Sequence, residues 1–196
     1  MSKIAIFASG AGTNTERLIH YFQQFKANNS IEIGLVVSNK TNAKVLDIAS
    51  KNEIPTKVFS NSQFEDGMDV FNSLKSNSID WIVLAGFLRK IPLKLIENFP
   101  NRIFNIHPSL LPKYGGKGMY GANVHRTVLE NKEVETGITI HLIDEEFDRG
   151  EVLFQASCKI ASNETLESLT QKIHALEYEY YPKVIFEYIQ KTGDLG

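Results

Sequence analysis

Ile4-Ala5-Ile6-Phe7-Ala8-Ser9-Gly10-Ala11-Gly12-Thr13-Asn14 is the stretch on which the fold turns. Its first five residues form a continuous apolar run, the pattern of a strand buried on both faces. A turn with two glycines follows, and then Leu18, Ile19, Phe22 and Phe25 recur at helical spacing. Strand, glycine turn and helix in succession open an α/β sheet. The pattern repeats downstream. Ile33-Gly34-Leu35-Val36-Val37 and Trp81-Ile82-Val83-Leu84-Ala85 read as further buried strands, with helices expected over Ala43 to Lys51 and Gln63 to Ser76. Pro55-Thr56-Lys57-Val58-Phe59 fits a shorter, outer strand. Such alternation predicts a doubly wound, mostly parallel sheet with helices on both faces.

Beyond residue 107 the texture changes. Pro108 to Asn123 is rich in proline and glycine and reads as a long irregular loop, a kind of segment that often carries function. Thr136 to Ile143 and Val152 to Ala156 read as an antiparallel C-terminal strand pair joined by the acidic connection Asp144 to Gly150. The last element, Thr165 to about Gln190, reads as a long helix capped by Ser162 or Asn163, with a kink or interruption at Pro182. At 196 residues and 42% hydrophobic content, the chain can bury roughly 70% of its unfolded surface, so one domain over residues 1–196 is expected.

Composition excludes several classes of function. Lys and Arg number 21 against 23 Asp and Glu, a formal charge of -2, with no basic run to track the phosphates of a nucleic acid. Cys158 is the one cysteine, which rules out an internal disulfide framework or a cysteine-based zinc site and points to a reducing, cytoplasmic setting. The apolar run after Met1 is too short for a signal peptide, and nothing approaches the roughly 20 apolar residues of a membrane span.

Asn105-Ile106-His107-Pro108-Ser109-Leu110-Leu111-Pro112 carries the chemistry. Arg102-Ile103-Phe104 reads as the start of a short buried strand, on which Asn105 and His107, two residues apart, share a face. Pro108 disfavours a helical His107, so the strand should run to the histidine and stop. Open α/β sheets place their sites at such C-terminal strand ends. Taken alone, an Asn-x-His is more often a turn cap beside a satisfied polar histidine. Asp148, within Glu145-Glu146-Phe147-Asp148-Arg149-Gly150, reads either as part of a solvated hairpin connection or as a carboxylate folded back onto His107, where it would favour the charged imidazole. The loop Ser9 to Asn14 offers backbone N–H groups and a helix N-terminus to an anion such as phosphate. It lacks the third glycine of the dinucleotide fingerprint, since Thr15 stands there, and it lacks the lysine of a Walker loop. His125 and His141 are as readily structural as functional, and the histidines show no metal-binding spacing.

Together, Ser9 to Asn14, Ala85-Gly86-Phe87-Leu88-Arg89, the Asn105 to Pro112 string and Asp148-Arg149-Gly150 closely resemble, over nearly the whole chain, the phosphoribosylglycinamide formyltransferases of the folate-dependent formyltransferase superfamily. The Asn-x-His-Pro-Ser-Leu-Leu-Pro string with its downstream Asp is shared with methionyl-tRNA formyltransferases and formyltetrahydrofolate deformylases; the glycine loop is the narrower marker. The resemblance implies a Rossmann-like formyltransferase fold and transfer of a formyl group from 10-formyltetrahydrofolate, as co-substrate and without a metal, to the amine of glycinamide ribonucleotide (GAR) in de novo purine synthesis. It implies Asn105, His107 and Asp148 as the catalytic trio. For the nucleotide it implies Gly10, Ala11, Gly12, Thr13 and Asn14 around the phosphate, with Pro108 lining the substrate and Glu177 at the ribose; for the folate, Leu88, Arg89, Lys90, Ile91, Ile143, Asp144 and Asn105. Lys113 to His125 is longer than the compact loop of many relatives and lacks a histidine often found just before His125. Alternatives are a relative acting on tRNA, expected to carry a C-terminal domain beyond Gly196; a deformylase, expected to carry a domain before Lys3; and a binding module without turnover. Monomer and homodimer both fit.

Overall fold

The computed structural model of the chain describes residues 2–24, 31–146 and 148–193. Its strands are β1 (Ser2–Phe7), β2 (Ile31–Ser38), β3 (Thr56–Val58), β4 (Trp81–Leu84), β5 (Ile103–His107), β6 (Glu135–Leu142) and β7 (Val152–Lys159), hydrogen-bonded in the order β3-β2-β1-β4-β5-β6-β7. Two compact units divide the chain, Met1–Phe104 and Asn105–Gly196.

In the first unit β1 runs parallel to β2 and β4, and β2 parallel to β3. Ile4, Ala5, Ile6 and Phe7 are wholly buried, as a strand flanked by neighbours and covered on both faces must be. Helix α1 (Thr13–Gln24) turns Thr15, Leu18, Ile19 and Phe22 inward; Phe25, expected on the same stripe, lies outside the described residues. Helix α2 (Val45–Lys51) falls within the expected span. The single helix expected over Gln63 to Ser76 is instead two, α3 (Asn61–Asp66) and α4 (Met68–Ser76). Ser60 begins α3 with a capping box to Gln63, and Gly67, at φ 75, ends it in the left-handed conformation that glycine adopts without a Cβ penalty. Helical periodicity survives across Gly67 because Phe64, Val70 and Leu74 all face the core. Helix α5 (Leu93–Asn98), which begins after Pro92, is one that periodicity did not reveal. Phe64 packs at a tilt on Phe87, ring centroids 4.8 Å apart, and meets Phe7 edge-on at 5.8 Å, so α3 clamps the turn after β4 against the end of β1.

The second unit carries the antiparallel pair β6 and β7, in register from Glu135↔Lys159 to His141↔Val152. Strand β7 extends past the expected Ala156, and Cys158 lies on it. Helix α6 (Ala122–Glu130) follows the irregular loop. Along helix α7 (Leu166–Gly193), Leu169, Ile173, Glu177, Tyr181, Ile185 and Ile189 are buried at every fourth position, and α7 packs on α6, β6 and β7. The helix runs unbroken through Pro182, so the expected interruption does not occur. A proline inside an exposed helix costs about 3 kcal/mol, but here a buried stripe on both sides of Pro182 anchors the helix to its neighbours. The cap is Thr165, not Ser162 or Asn163: its Oγ1 accepts from the Ser168 N–H at 3.1 Å, and the Ser168 Oγ accepts from the Thr165 N–H at 3.0 Å.

Two outcomes follow from the packing. Gly12 has φ +78 and a Cβ there would lie 2.8 Å from the Val45 Cβ, whereas nothing lies within 4 Å of a Cβ built on Gly10. Gly12→Ala should therefore destabilise by at least about 1 kcal/mol, and Gly10→Ala by no more than about 0.5 kcal/mol, as read by urea unfolding. His125 on α6 is 3% exposed, and its Nδ1 has no hydrogen-bond partner among the described residues. Burial first, then the charges of His174 and His107, push its pKa down to about 4. An unfolded imidazole titrates near 6.5, so the unfolded chain takes up a proton that the folded one refuses. Stability should be full above about pH 6.5 and fall by roughly 3 kcal/mol as pH drops to about 4. His125→Leu should flatten that slope in unfolding curves taken at about pH 7 and pH 5; an unchanged slope would place the titrating group elsewhere.

Candidate active site

Strand β5 ends at His107, where Pro108 requires it to. His107 is 4% exposed, and its Nε2 lies 2.8 Å from the Tyr114 carbonyl. A carbonyl only accepts, so Nε2 carries a proton, and Nδ1 is the nitrogen turned toward Asp148, 3.6 Å from Oδ2. Half-buried Asn105 sends its Nδ2 to the His141 Nε2 at 3.0 Å. The Asp148 side chain, 12% exposed, also accepts from the Gly116 N–H at 2.8 Å, and its Oδ1 lies 3.7 Å from the His141 Nε2. Asn105, His107 and Asp148 thus gather within the second unit, with His141 between Asn105 and Asp148.

Local sequence makes this possible. Asp148 sits at φ +57, a left-handed conformation that Asp tolerates better than most residues but which still costs about 1–2 kcal/mol. Gly150 lets the chain pass close behind it: a Cβ there would lie 1.9 Å from the Leu142 carbonyl oxygen at the end of β6. The connection is therefore drawn in at Asp148 while Glu145 and Glu146 remain at the surface, where Glu146 pairs with Arg149 at 2.6 Å. Of the two readings of this acidic segment, the solvated one holds for Glu145 and Glu146 only.

A buried polar hub stabilises the segment after His107. The Thr139 Oγ1 on β6 donates to the Ser109 carbonyl at 2.7 Å and accepts from the Leu111 N–H and the Gln155 Nε2, each at 2.9 Å. Gln155 also donates to the Leu111 carbonyl at 3.0 Å. Residues 109 to 111 belong to no regular element, so their backbone groups need such partners. Sequence reasoning passed over Thr139 and Gln155 and left His141 undecided. The signal was present: Thr139 and His141 are polar residues two apart in the otherwise apolar stretch Ile138 to Leu142, and so face one side. Further along the loop, the Tyr114 hydroxyl donates to Glu133 at 2.8 Å and Lys113 pairs with Glu133 at 3.1 Å, anchoring the loop base.

The first unit presents the glycine turn. Gly10, Ala11 and Thr13 are exposed, Gly12 is buried, and half-buried Asn14 lies in the first turn of α1. Buried Ser9 ties this turn to its neighbours: its N–H donates to the Gly86 carbonyl at 3.1 Å, and its Oγ donates to Asn39 at 2.7 Å and accepts from the Leu88 N–H at 3.0 Å. The turns after β1 and β4 are thus joined where the strand order reverses, the crevice in which open α/β sheets bind ligands. Among the residues expected on the folate, Leu88 and Lys90 are exposed, Ile91 is buried, and Arg89 pairs with Glu65 at 2.8 Å.

In the second unit Pro108, Ile143 and Asp144 are half-buried, and the Asp144 Oδ1 accepts from the Glu146 N–H at 2.9 Å. Glu177 is buried on α7, not solvated as a helix residue of its type would be expected to be, and its charge together with burial raises the pKa of Tyr181 one turn on. Among the described residues no His, Cys, Asp and Glu side chains gather into a group that could hold a metal ion, and no helix is long and apolar enough to cross a membrane.

The formyl transferase family model matches residues 2–185. A chloroplastic phosphoribosylglycinamide formyltransferase of Arabidopsis thaliana is 37% identical over 188 residues, covering 93% of this chain and 64% of the relative. A Haemophilus influenzae phosphoribosylglycinamide formyltransferase is 34% identical over 189 residues, covering 94% of this chain and 86% of the relative. The chain therefore spans slightly less than two thirds of the plant relative but most of the bacterial one. A crystal structure of phosphoribosylglycinamide formyltransferase from Bacillus halodurans matches the fold with a TM-score of 0.87 at 34% identity, covering 97% of each chain. With sequence and fold in agreement over nearly all its length, this chain belongs to the formyl transferase family.

Proposed function

We propose that this chain transfers the formyl group of 10-formyltetrahydrofolate to the amine of GAR, giving formyl-GAR and tetrahydrofolate in de novo purine biosynthesis, and that residues 1–196 act as one formyltransferase domain. The observation that carries the reading is the convergence of Asn105, His107 and Asp148, with 3.6 Å between the Asp148 Oδ2 and the His107 Nδ1. Each group has a part in amine attack on a formyl carbon. The amine lone pair forms the new C–N bond and the carbonyl π pair moves onto oxygen. A second Asn105 Nδ2–H and the His107 Nε2–H meet that oxyanion, which takes the place of the Tyr114 carbonyl on His107. The Asp148 carboxylate is the countercharge for an imidazolium at His107 and accepts the surplus amine proton, directly or through water. Collapse of the intermediate breaks the bond between carbon and the folate nitrogen, which leaves with a proton.

Gly10, Ala11, Gly12, Thr13 and Asn14 take the nucleotide phosphate, on the exposed N-terminus of a helix of 12 residues. Pro108 lines the substrate and Glu177 holds the ribose. Leu88, Arg89, Lys90, Ile91, Ile143 and Asp144 contact the folate. No metal enters the reaction, and the protein works in the cytoplasm.

Three measurements test the reading. With purified protein and 10-formyltetrahydrofolate, tetrahydrofolate release should require GAR and match formyl-GAR formed; release without GAR would instead indicate a deformylase. Asp148→Asn should lower kcat by about 100-fold or more while leaving the dissociation constant for GAR within about 3-fold; near-normal kcat would remove Asp148 from the chemistry. Because Gly12 also packs on Val45, the phosphate site is better probed at exposed Thr13. Thr13→Asp should favour the helix N-terminus yet repel phosphate, weakening GAR binding by about 10-fold or more with no loss of thermal stability. Unchanged affinity by calorimetry would move the phosphate elsewhere.

A further inference from the structure

His141 is wholly buried, sits at the end of β6 and is not among the residues assigned a part in the reaction above. Its contacts define its state. The Nδ1 lies 2.8 Å from the Leu142 carbonyl, an acceptor only, so Nδ1 carries a proton. Burial lowers its pKa more than the Leu142 carbonyl and the Asp148 and Asp144 carboxylates raise it, with His107 also lowering it, so the ring is neutral at pH 7. A neutral ring protonated at Nδ1 presents a lone pair at Nε2. That lone pair faces the Asn105 side-chain amide at 3.0 Å.

The consequence falls on Asn105. Its amide has a donor end and an acceptor end of nearly equal shape, and only the donor end can meet a lone pair. Turned the other way, the Asn105 Oδ1 would confront the His141 lone pair, and the Asn105 donor would be replaced by an acceptor. A charged ring would undo the arrangement as well, since its Nε2–H would oppose the Asn105 N–H and turn to the Asp148 Oδ1, 3.7 Å away.

We infer that His141 is a positioning residue: held neutral with its proton on Nδ1, it fixes the rotamer of the Asn105 amide so that an N–H of Asn105 is aimed at the oxygen that becomes negative during formyl transfer. This rests on the proposed function, because the value of the orientation lies in that oxyanion. His141 itself touches no reacting atom.

Two measurements test it. In long-range proton–nitrogen NMR spectra of the unsubstituted protein at pH 7, with the ring assigned by its loss in His141→Gln, His141 should show a protonated Nδ1 and an unprotonated Nε2. Protonation at Nε2, alone or together with Nδ1, would overturn the inference without recourse to any variant. In kinetics, His141→Phe should lower kcat by about 10- to 100-fold with little change in KM for GAR, whereas His141→Gln, which can place an acceptor near Nε2, should recover most of that loss. In an Asn105→Ala background the His141→Phe change should cost less than about 3-fold, because its target is already gone. A full and multiplicative loss there would show that His141 acts by another route and overturn the inference. Absence of formyl transfer by the unsubstituted protein would defeat the proposed function, and with it the positioning role in that reaction. A protonated Nε2 in an active enzyme would defeat this inference alone.

Discussion

The second unit is organised around a carboxylate held almost out of water. Leaving a charge such as that of Asp148 unpaired at low exposure would cost several kcal/mol, so its surroundings must supply donors and countercharge. The Gly116 N–H supplies one donor at 2.8 Å, the His107 imidazole stands at 3.6 Å, and the neutral ring of His141 closes the other side at 3.7 Å without donating. The other features follow from that demand. The loop between β5 and α6 is drawn in so that Gly116 can donate and the Tyr114 carbonyl can hold His107. The connection between β6 and β7 takes a left-handed residue at Asp148. Strain and desolvation of this kind persist where the surroundings over-determine them, which is common at sites of chemistry.

Orientation in this cluster is set by backbone carbonyls. The Tyr114 and Leu142 carbonyls accept from His107 Nε2 and His141 Nδ1 respectively, and so each fix a proton on opposite nitrogens of two neighbouring rings. One ring keeps Nδ1 toward the carboxylate, and the other keeps Nε2 toward an amide. Thr139 and Gln155 do the same service for the chain itself, pairing the Ser109 and Leu111 backbone groups that a sharp turn of prolines leaves outside any ladder. In the first unit Ser9 is the counterpart, joining the turn after β1 to the turn after β4 through one hydroxyl.

Much of the fold was legible because strand and helix periods are local. The apolar runs at β1, β2 and β4, the strand end at His107 before Pro108, and the antiparallel pair near the C-terminus all stand where the pattern put them. The misreadings have particular causes. Across Gly67 the hydrophobic period continues although the backbone does not, so periodicity merged α3 with α4. Pro182 would interrupt an isolated helix, yet a stripe buried on both sides of it carries α7 through. Thr165 caps α7 in place of two earlier polar residues because the reciprocal bonds to Ser168 form only from that position.

By itself the sequence determined the buried strands, most of the longer helices, where β5 must stop, and that Gly12 stands in a tight turn between β1 and α1. Those are matters of side-chain period and of proline and glycine stereochemistry. Only the tertiary structure decided that Asp148 rather than Glu145 or Glu146 turns inward, that Glu177 is buried on its helix, and that His141 meets Asn105. Each of those depends on contacts between residues far apart in the chain, whose partners, burial and protonation exist only once the strands have paired and water has been removed.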